Sequence, residues 1–341
     1  MTEQSLSPDG GGKPMMRAVN FVDGSIRLVE MPVPGISPGE VLIRTILAGI
    51  CRTDRELFEG YYNFQGVPGH EFVGRVEKAP GHDRLEGKRV VAAVNVGCGE
   101  CCWCRSGHPK HCLSRRAVGI RGWDGAFAEY LKVPQANVHL VEDGISDEEA
   151  VFAEPLAAAL DVRQRVPIAS SDRVLVMGDG KLGLLIALSL RSVVPHPVLL
   201  GKHRDKLEIA EHQGIETIEL VGKPGAYFPS REPGIFDVVV DATGDAQGVR
   251  DALKFLRPRG TLVLKTTSRM PSTLDLARIV VDEIRVVGSR CGDLQMALSY
   301  LQHRFLDVVP LIDAIYPFEE AEKAFLHAFQ PGGKKILLRW S

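Results

Sequence analysis

The stretch 98-CGECCWCRSGHPKHC-112 gathers five cysteines and two histidines within fifteen residues, in a 341-residue chain that has only seven cysteines. Three chemistries use such a cluster. It can be a disulfide framework, a zinc knuckle that binds nucleic acid, or a structural metal site inside a larger fold. Three further residues could ligate a metal or act on a substrate: Cys51 in 49-GICRTD-54, His70 in 68-PGHEFVG-74 and Glu154 in 153-AEPLAAAL-160. Each is weak alone, because an isolated Cys or His is more often a core residue than a ligand.

A different chemistry belongs to 178-GDGKLG-183, which follows the apolar run 173-RVLVM-177 and precedes a helix-like apolar segment. In this setting G-x-G-x-x-G cradles a dinucleotide: Gly178 allows a tight turn, Gly180 lets backbone approach the pyrophosphate, and Gly183 lets helix and strand pack closely. The free N–H groups of the helix start then face the phosphates. Lys181 and Leu182, between the glycines, join the candidate cofactor contacts. An acid about 20 residues further on would accept from the ribose of NAD. Here 198-VLLGKHRDKL-207 has Gly201 in that place, followed by Lys202, His203 and Arg204. Losing an anion and adding donors suits a 2′-phosphate, so NADP is expected, with NAD the alternative.

These residues need elements to hold them. From Met15 to about Val133 short apolar runs such as 26-IRLVEM-31, 41-VLIRTIL-47, 72-FVGRVE-77 and 89-RVVAAV-94 are broken by glycine and proline, which predicts a β-barrel or sandwich. Beyond Leu156 strands alternate with helices: 173–177, 198–200, 216–220, 236–240, 261–264 and 284–288, with helices from Leu182, Lys206 and Ala246. Six strands in this rhythm predict a parallel, doubly wound α/β sheet. A helical stretch after Gly292 and the strand 334-KKILLRW-340 close the chain and could return to the first domain.

Composition narrows the field. A formal net charge of -2 gives no support to a nucleic-acid binder. The longest apolar run, 182-LGLLIALSL-190, is too short to span a bilayer. The opening 1-MTEQSLSPDGGGKP-14 lacks the basic start and apolar run of a signal peptide and is expected to be a flexible tail. A cytoplasmic protein with reduced thiols is the expectation, which weakens the disulfide framework.

Taken together, GICRTD, PGHEFVG, C-x2-C-x2-C-x7-C, GAFAEY at 125–130, AEPLAAAL, GDGKLG, 236-FDVVVDATG-244 and 316-YPFEEAEKAF-325 resemble the zinc-dependent medium-chain alcohol and polyol dehydrogenases, from about Met15 to the C-terminus. The resemblance implies a GroES-like β-barrel catalytic domain (15–157 and 294–341) interrupted by a Rossmann domain (158–293). It implies two zinc ions per chain. Cys98, Cys101, Cys104 and Cys112 would hold a structural zinc, with Cys102 left over, and this reading displaces the nucleic-acid knuckle. Cys51 and His70 would hold a catalytic zinc completed by Glu71 or Glu154. Asp54 would orient the ligand histidine, and Thr53 would relay the proton of a substrate alcohol while the nicotinamide takes the hydride. Many relatives continue that relay with a histidine five residues after the cysteine; Glu56 stands there, able to carry the proton or meet substrate hydroxyls. Thr243, in FDVVVDATG, joins the cofactor set.

The string CRTDRE favours a polyol or sugar among small-molecule alcohols, and Tyr61, Tyr62, Phe64 and Trp123 could line the pocket. Neither nucleic acid nor membrane is expected as a partner, and a homodimer or homotetramer is. The alternatives are an NAD-linked aliphatic alcohol dehydrogenase and a catalytically silent NADPH-binding member of the fold.

Overall fold

The computed structural model describes residues 14–22, 25–220, 234–267 and 271–340. The tail expected at 1–14 lies, except for Pro14, outside them. The chain forms two compact units, one running to Val151 and resuming at Ala314, the other Phe152–Asp313. The unit containing the C-terminus is built on a seven-stranded sheet. Its central strand, Glu40–Gly49, buries all but three of its ten residues. Along one edge it pairs antiparallel with Glu71–Lys78. Along the other, its first half pairs with Tyr130–Pro134 and its last three residues with the chain-terminal strand Lys335–Arg339. Phe127 and Phe325, both fully buried, pack edge to face at 5.0 Å in the core beneath. Each such ring contributes about 1.5–3 kcal/mol through its lost water contact.

The other unit carries six parallel strands. Numbered in chain order within the unit they lie 3-2-1-4-5-6, the doubly wound arrangement in which ligands bind where the order reverses. That point lies between Val174–Met177 and Phe236–Asp241. The helix after Gly180 spans Lys181–Leu190 and buries eight of its ten residues, as an element covered on all sides must. The helix expected from Lys206 starts at Arg204, because His203 leaves the helical conformation and caps it.

The boundaries expected at 157/158 and 293/294 fall instead at 151/152 and 313/314. Helix Ala153–Arg165 packs on helices Lys181–Leu190 and Leu294–Gln302. Its buried Asp161 accepts from the Ser289 hydroxyl (2.8 Å) and the Arg290 N–H (3.1 Å), which fastens it to the last strand of the parallel sheet. Among the described residues no helix is long and apolar enough to cross a membrane.

Candidate metal and cofactor sites

Two strand ends in the first unit converge on one group. Cys51 lies two residues past the end of the central strand, His70 immediately precedes strand Glu71–Lys78, and the register sets Glu71 opposite Gly49. One ligand atom each of Cys51, His70 and Glu71 lies within 4.8 Å of the others. Cys51 also caps helix Arg52–Phe58, whose first turn brings Asp54 back toward it. Asp54 Oδ2 accepts from the Cys51 N–H at 2.7 Å. Its Oδ1 faces His70 Nδ1 at 3.6 Å, both atoms buried without a hydrogen-bond partner. That distance is electrostatic contact rather than a hydrogen bond. It turns Nδ1 toward the carboxylate and leaves Nε2 for a metal. Burial works against charge on His70, but Asp54 and Cys51 hold the imidazole well above the usual histidine range. A thiol, an imidazole and a carboxylate, with a carboxylate behind the imidazole, suit zinc.

Removing the charge behind the imidazole tests that arrangement. Asp54→Asn keeps an acceptor for the Cys51 N–H while removing the anion, and should weaken zinc about 10–100-fold in competition with a chelator. Unchanged affinity would reduce Asp54 to a helix cap.

The four cysteines of the opening cluster also meet. Sulfurs of Cys98, Cys101, Cys104 and Cys112 lie within 4.8 Å of one another, while Cys102 is exposed. The Cys98 N–H points at Cys112 Sγ and the Cys101 N–H at Cys98 Sγ, each at 3.4 Å. Cys98 is drawn down to about 6 by the N–H groups of Glu100 and Cys101, whereas desolvation and the neighbouring thiols push Cys104 up to about 11. Four sulfurs this close, if all ionised, would need a cation between them, and a tetrahedral dication fits.

In the second unit the glycine loop has the shape a pyrophosphate needs. Gly178 sits at φ +109°, and a Cβ on Gly183 would lie 1.8 Å from the Gly178 carbonyl. At Gly180 a Cβ would meet nothing within 4 Å, so the ground before the helix start is open. Lys181 and Leu182, half-buried, form the first turn. Thr243 follows the neighbouring strand, and its hydroxyl donates to buried Asp241 at 2.7 Å.

Residues 37–143 match the family model for the alcohol dehydrogenase GroES-like domain and residues 198–313 that for zinc-binding dehydrogenases. The erythritol/L-threitol dehydrogenase of Mycolicibacterium smegmatis is 32% identical over 323 residues, covering 87% of this chain and 89% of its own. The chain belongs to the zinc-dependent medium-chain alcohol and polyol dehydrogenases. Among solved structures, the alcohol dehydrogenase rspB of E. coli CFT073 complexed with NADH superposes with a TM-score of 0.88 at 27% identity, over 95% of this chain and 99% of its own. A Sinorhizobium meliloti 1021 protein bound to NADP gives 0.85 at 26% identity, over 96% and 100%. This dehydrogenase is thus an NAD(P)-dependent oxidoreductase of CH–OH donors with a GroES-like and a Rossmann domain.

Other expected residues of the dehydrogenase are placed less simply. Glu154 stands in the second unit, in the first turn of helix Ala153–Arg165. Thr53 is half-buried in the first turn of helix Arg52–Phe58, and Glu56, one turn on, meets Arg52 at 3.5 Å. Of the aromatics, Phe64 packs on Phe21 and the Trp123 indole N–H donates to the Lys132 carbonyl at 2.7 Å. Tyr62 is 47% exposed, with its ring 4.0 Å from that of Tyr61.

Two residues escaped the sequence reading. Lys335, on the closing strand, is buried and ion-paired with Glu71. Glu71 and Cys51 hold its ammonium above the usual lysine range although burial opposes charge there. The only signal was a lysine opening the apolar run KILL. Asp179, inside the glycine loop, sends its carboxylate to the turn after Gly201 and accepts from the Lys202 and His203 N–H groups at 2.6 Å each. The expectation that no carboxylate stands beside Gly201 is therefore corrected. Arg204 in turn spends its guanidinium on Glu208, at 3.1 Å, and Glu211.

Proposed function

We propose that this dehydrogenase moves a hydride between a secondary alcohol, polyol or sugar and a nicotinamide, with a catalytic and a structural zinc in each chain. The convergence of Cys51, His70 and Glu71, backed by Asp54, carries the reading. Bound in that set, zinc supplies the Lewis acidity that makes a substrate hydroxyl acidic at neutral pH. Cys51 and His70 hold it. Glu71 as third ligand is supported by its place within 4.8 Å of both, Glu154 by its place in the EPL motif. Asp54 fixes the imidazole tautomer, Thr53 takes up the hydroxyl proton, and Glu56 offers the next acceptor or a contact for substrate hydroxyls. Cys98, Cys101, Cys104 and Cys112 hold the structural zinc.

A polyol is supported by CRTDRE and by the erythritol/L-threitol relative. The donors Lys202, His203 and Arg204 support NADP. The Asp179 carboxylate favours the second reading, NAD. Assembly as a homodimer or homotetramer belongs to the proposal. Val286 on edge strand Arg285–Gly288 and Leu276, Val280 and Val281 on the preceding helix are exposed, apolar surface that a second copy would cover.

The test is elemental analysis of the purified protein followed by a screen of alcohols, polyols and aldoses with NAD and NADP, read by nicotinamide absorbance. Two zinc ions and turnover strongest on a polyol or sugar are expected. Turnover confined to simple aliphatic alcohols would favour the aliphatic reading. No turnover on protein holding both ions would leave the silent nucleotide-binding reading.

A further inference from the structure

The second strand of the parallel sheet, Val198–Gly201, ends in a glycine where a ribose-binding acid would stand. The space beside that glycine is filled. A Cβ built on Gly201 would lie 2.5 Å from Asp179 Cβ and 2.7 Å from Asp179 Oδ2. Asp179 therefore puts its carboxylate within reach of the place that a residue-201 side chain would occupy. Glycine at 201 is what makes room for it.

The carboxylate is firmly held and only 6% exposed. Oδ2 accepts from the Lys202 N–H and the His203 N–H at 2.6 Å each, and the His203 Nδ1 lies 3.0 Å from Oδ2 and 3.1 Å from Oδ1. Burial alone would raise its pKa, but these donors bring it below the usual aspartate range, so it is anionic at neutral pH. Three donors crowd Oδ2 while Oδ1 meets only the imidazole, which leaves Oδ1 lone pairs for an incoming hydroxyl. The basic run beside it is weaker than its sequence suggests, since Arg204 is drawn along its own helix to Glu208 and Glu211.

We infer that Asp179 is the specificity-determining residue at the adenosine ribose, accepting the ribose hydroxyl through Oδ1 and selecting NAD over NADP. The acid usual at the strand end has been moved into the glycine loop, and the strand end has been reduced to glycine to receive it. A 2′-phosphate would bring nearly two negative charges against this carboxylate, with Lys202 and His203 to offset them. This rests on the reading that the Gly178–Gly183 loop holds the adenosine half of a nicotinamide cofactor.

Calorimetric titration of the purified protein with NADH and with NADPH tests it without a substrate. The wild type should bind NADH at least tenfold more tightly. Asp179→Asn removes the charge and should weaken NADH while strengthening NADPH, moving the ratio of the two affinities at least tenfold toward NADPH. Asp179→Ser, which removes the charge with a smaller side chain, should shift it the same way and keeps the test standing if the first variant folds poorly. A wild type that prefers NADPH overturns the inference. So does an equal loss for both nucleotides in the variants, which would make Asp179 a pin between loop and strand. A wild type that binds neither nucleotide overturns the underlying reading of the loop as well.

Discussion

Cys51→Ser should remove one of two zinc ions and lower turnover on the order of a thousandfold or more, equivalent to about 4 kcal/mol of barrier. The serine hydroxyl does not ionise at neutral pH, so the site loses its thiolate and keeps an imidazole and one carboxylate. The other ion should stay, because the Cys98–Cys112 cluster forms its own closed set of sulfurs. Stability should change little: Cys51 is half-buried at the mouth of a helix, and the Asp54 bond to its backbone N–H does not depend on the side chain. Zinc content, turnover and melting measured on one preparation decide it. A variant that keeps both ions and full turnover would remove Cys51 from the site.

Lys335→Met should cost about 3–5 kcal/mol in denaturant unfolding of the zinc-free protein, because it strips the ammonium from a buried carboxylate that no metal ion then offsets. The side chains of Lys335 and Glu71 are each only 2% exposed, and the Lys335 ammonium lies 3.4 Å from the Ile50 carbonyl. With the ammonium gone, Glu71 must take up a proton or bear its charge away from water. The loss is large beside the 5–15 kcal/mol typical of a folded domain. The double variant Lys335→Met/Glu71→Leu should recover most of it, since replacing both members of a buried pair by apolar groups is often close to neutral. A double variant no better than the single would show that lost packing, not the orphaned charge, sets the cost.

What could be read in the sequence was local. The alternation of strand and helix beyond Leu156, the glycine loop directly after a strand, and the close spacing of Cys98, Cys101, Cys104 and Cys112 are patterns within a few turns of chain. Their physics is local too: side-chain period, the left-handed turn at Gly178, and sulfurs a short loop apart. Cys51 and His70 were legible only as members of an ordered set of motifs, because nothing near either of them in the chain marks it as a ligand.

The tertiary structure decided what depends on distant pieces meeting. Strand register set Glu71 opposite Gly49, and the return of the last strand set Lys335 against Glu71, 264 residues away in the chain. Packing of helix Ala153–Arg165 on its neighbours moved the domain boundary to 151/152. Asp179 looked like a loop residue and Gly201 like a missing acid. Only with the first two parallel strands side by side does one side chain fill the space the other lacks. A sequence shows which residues are present and in what local rhythm. Which charge is buried against which is set by the pairing of strands far apart in the chain, where a shift of one residue turns every side chain to the opposite face.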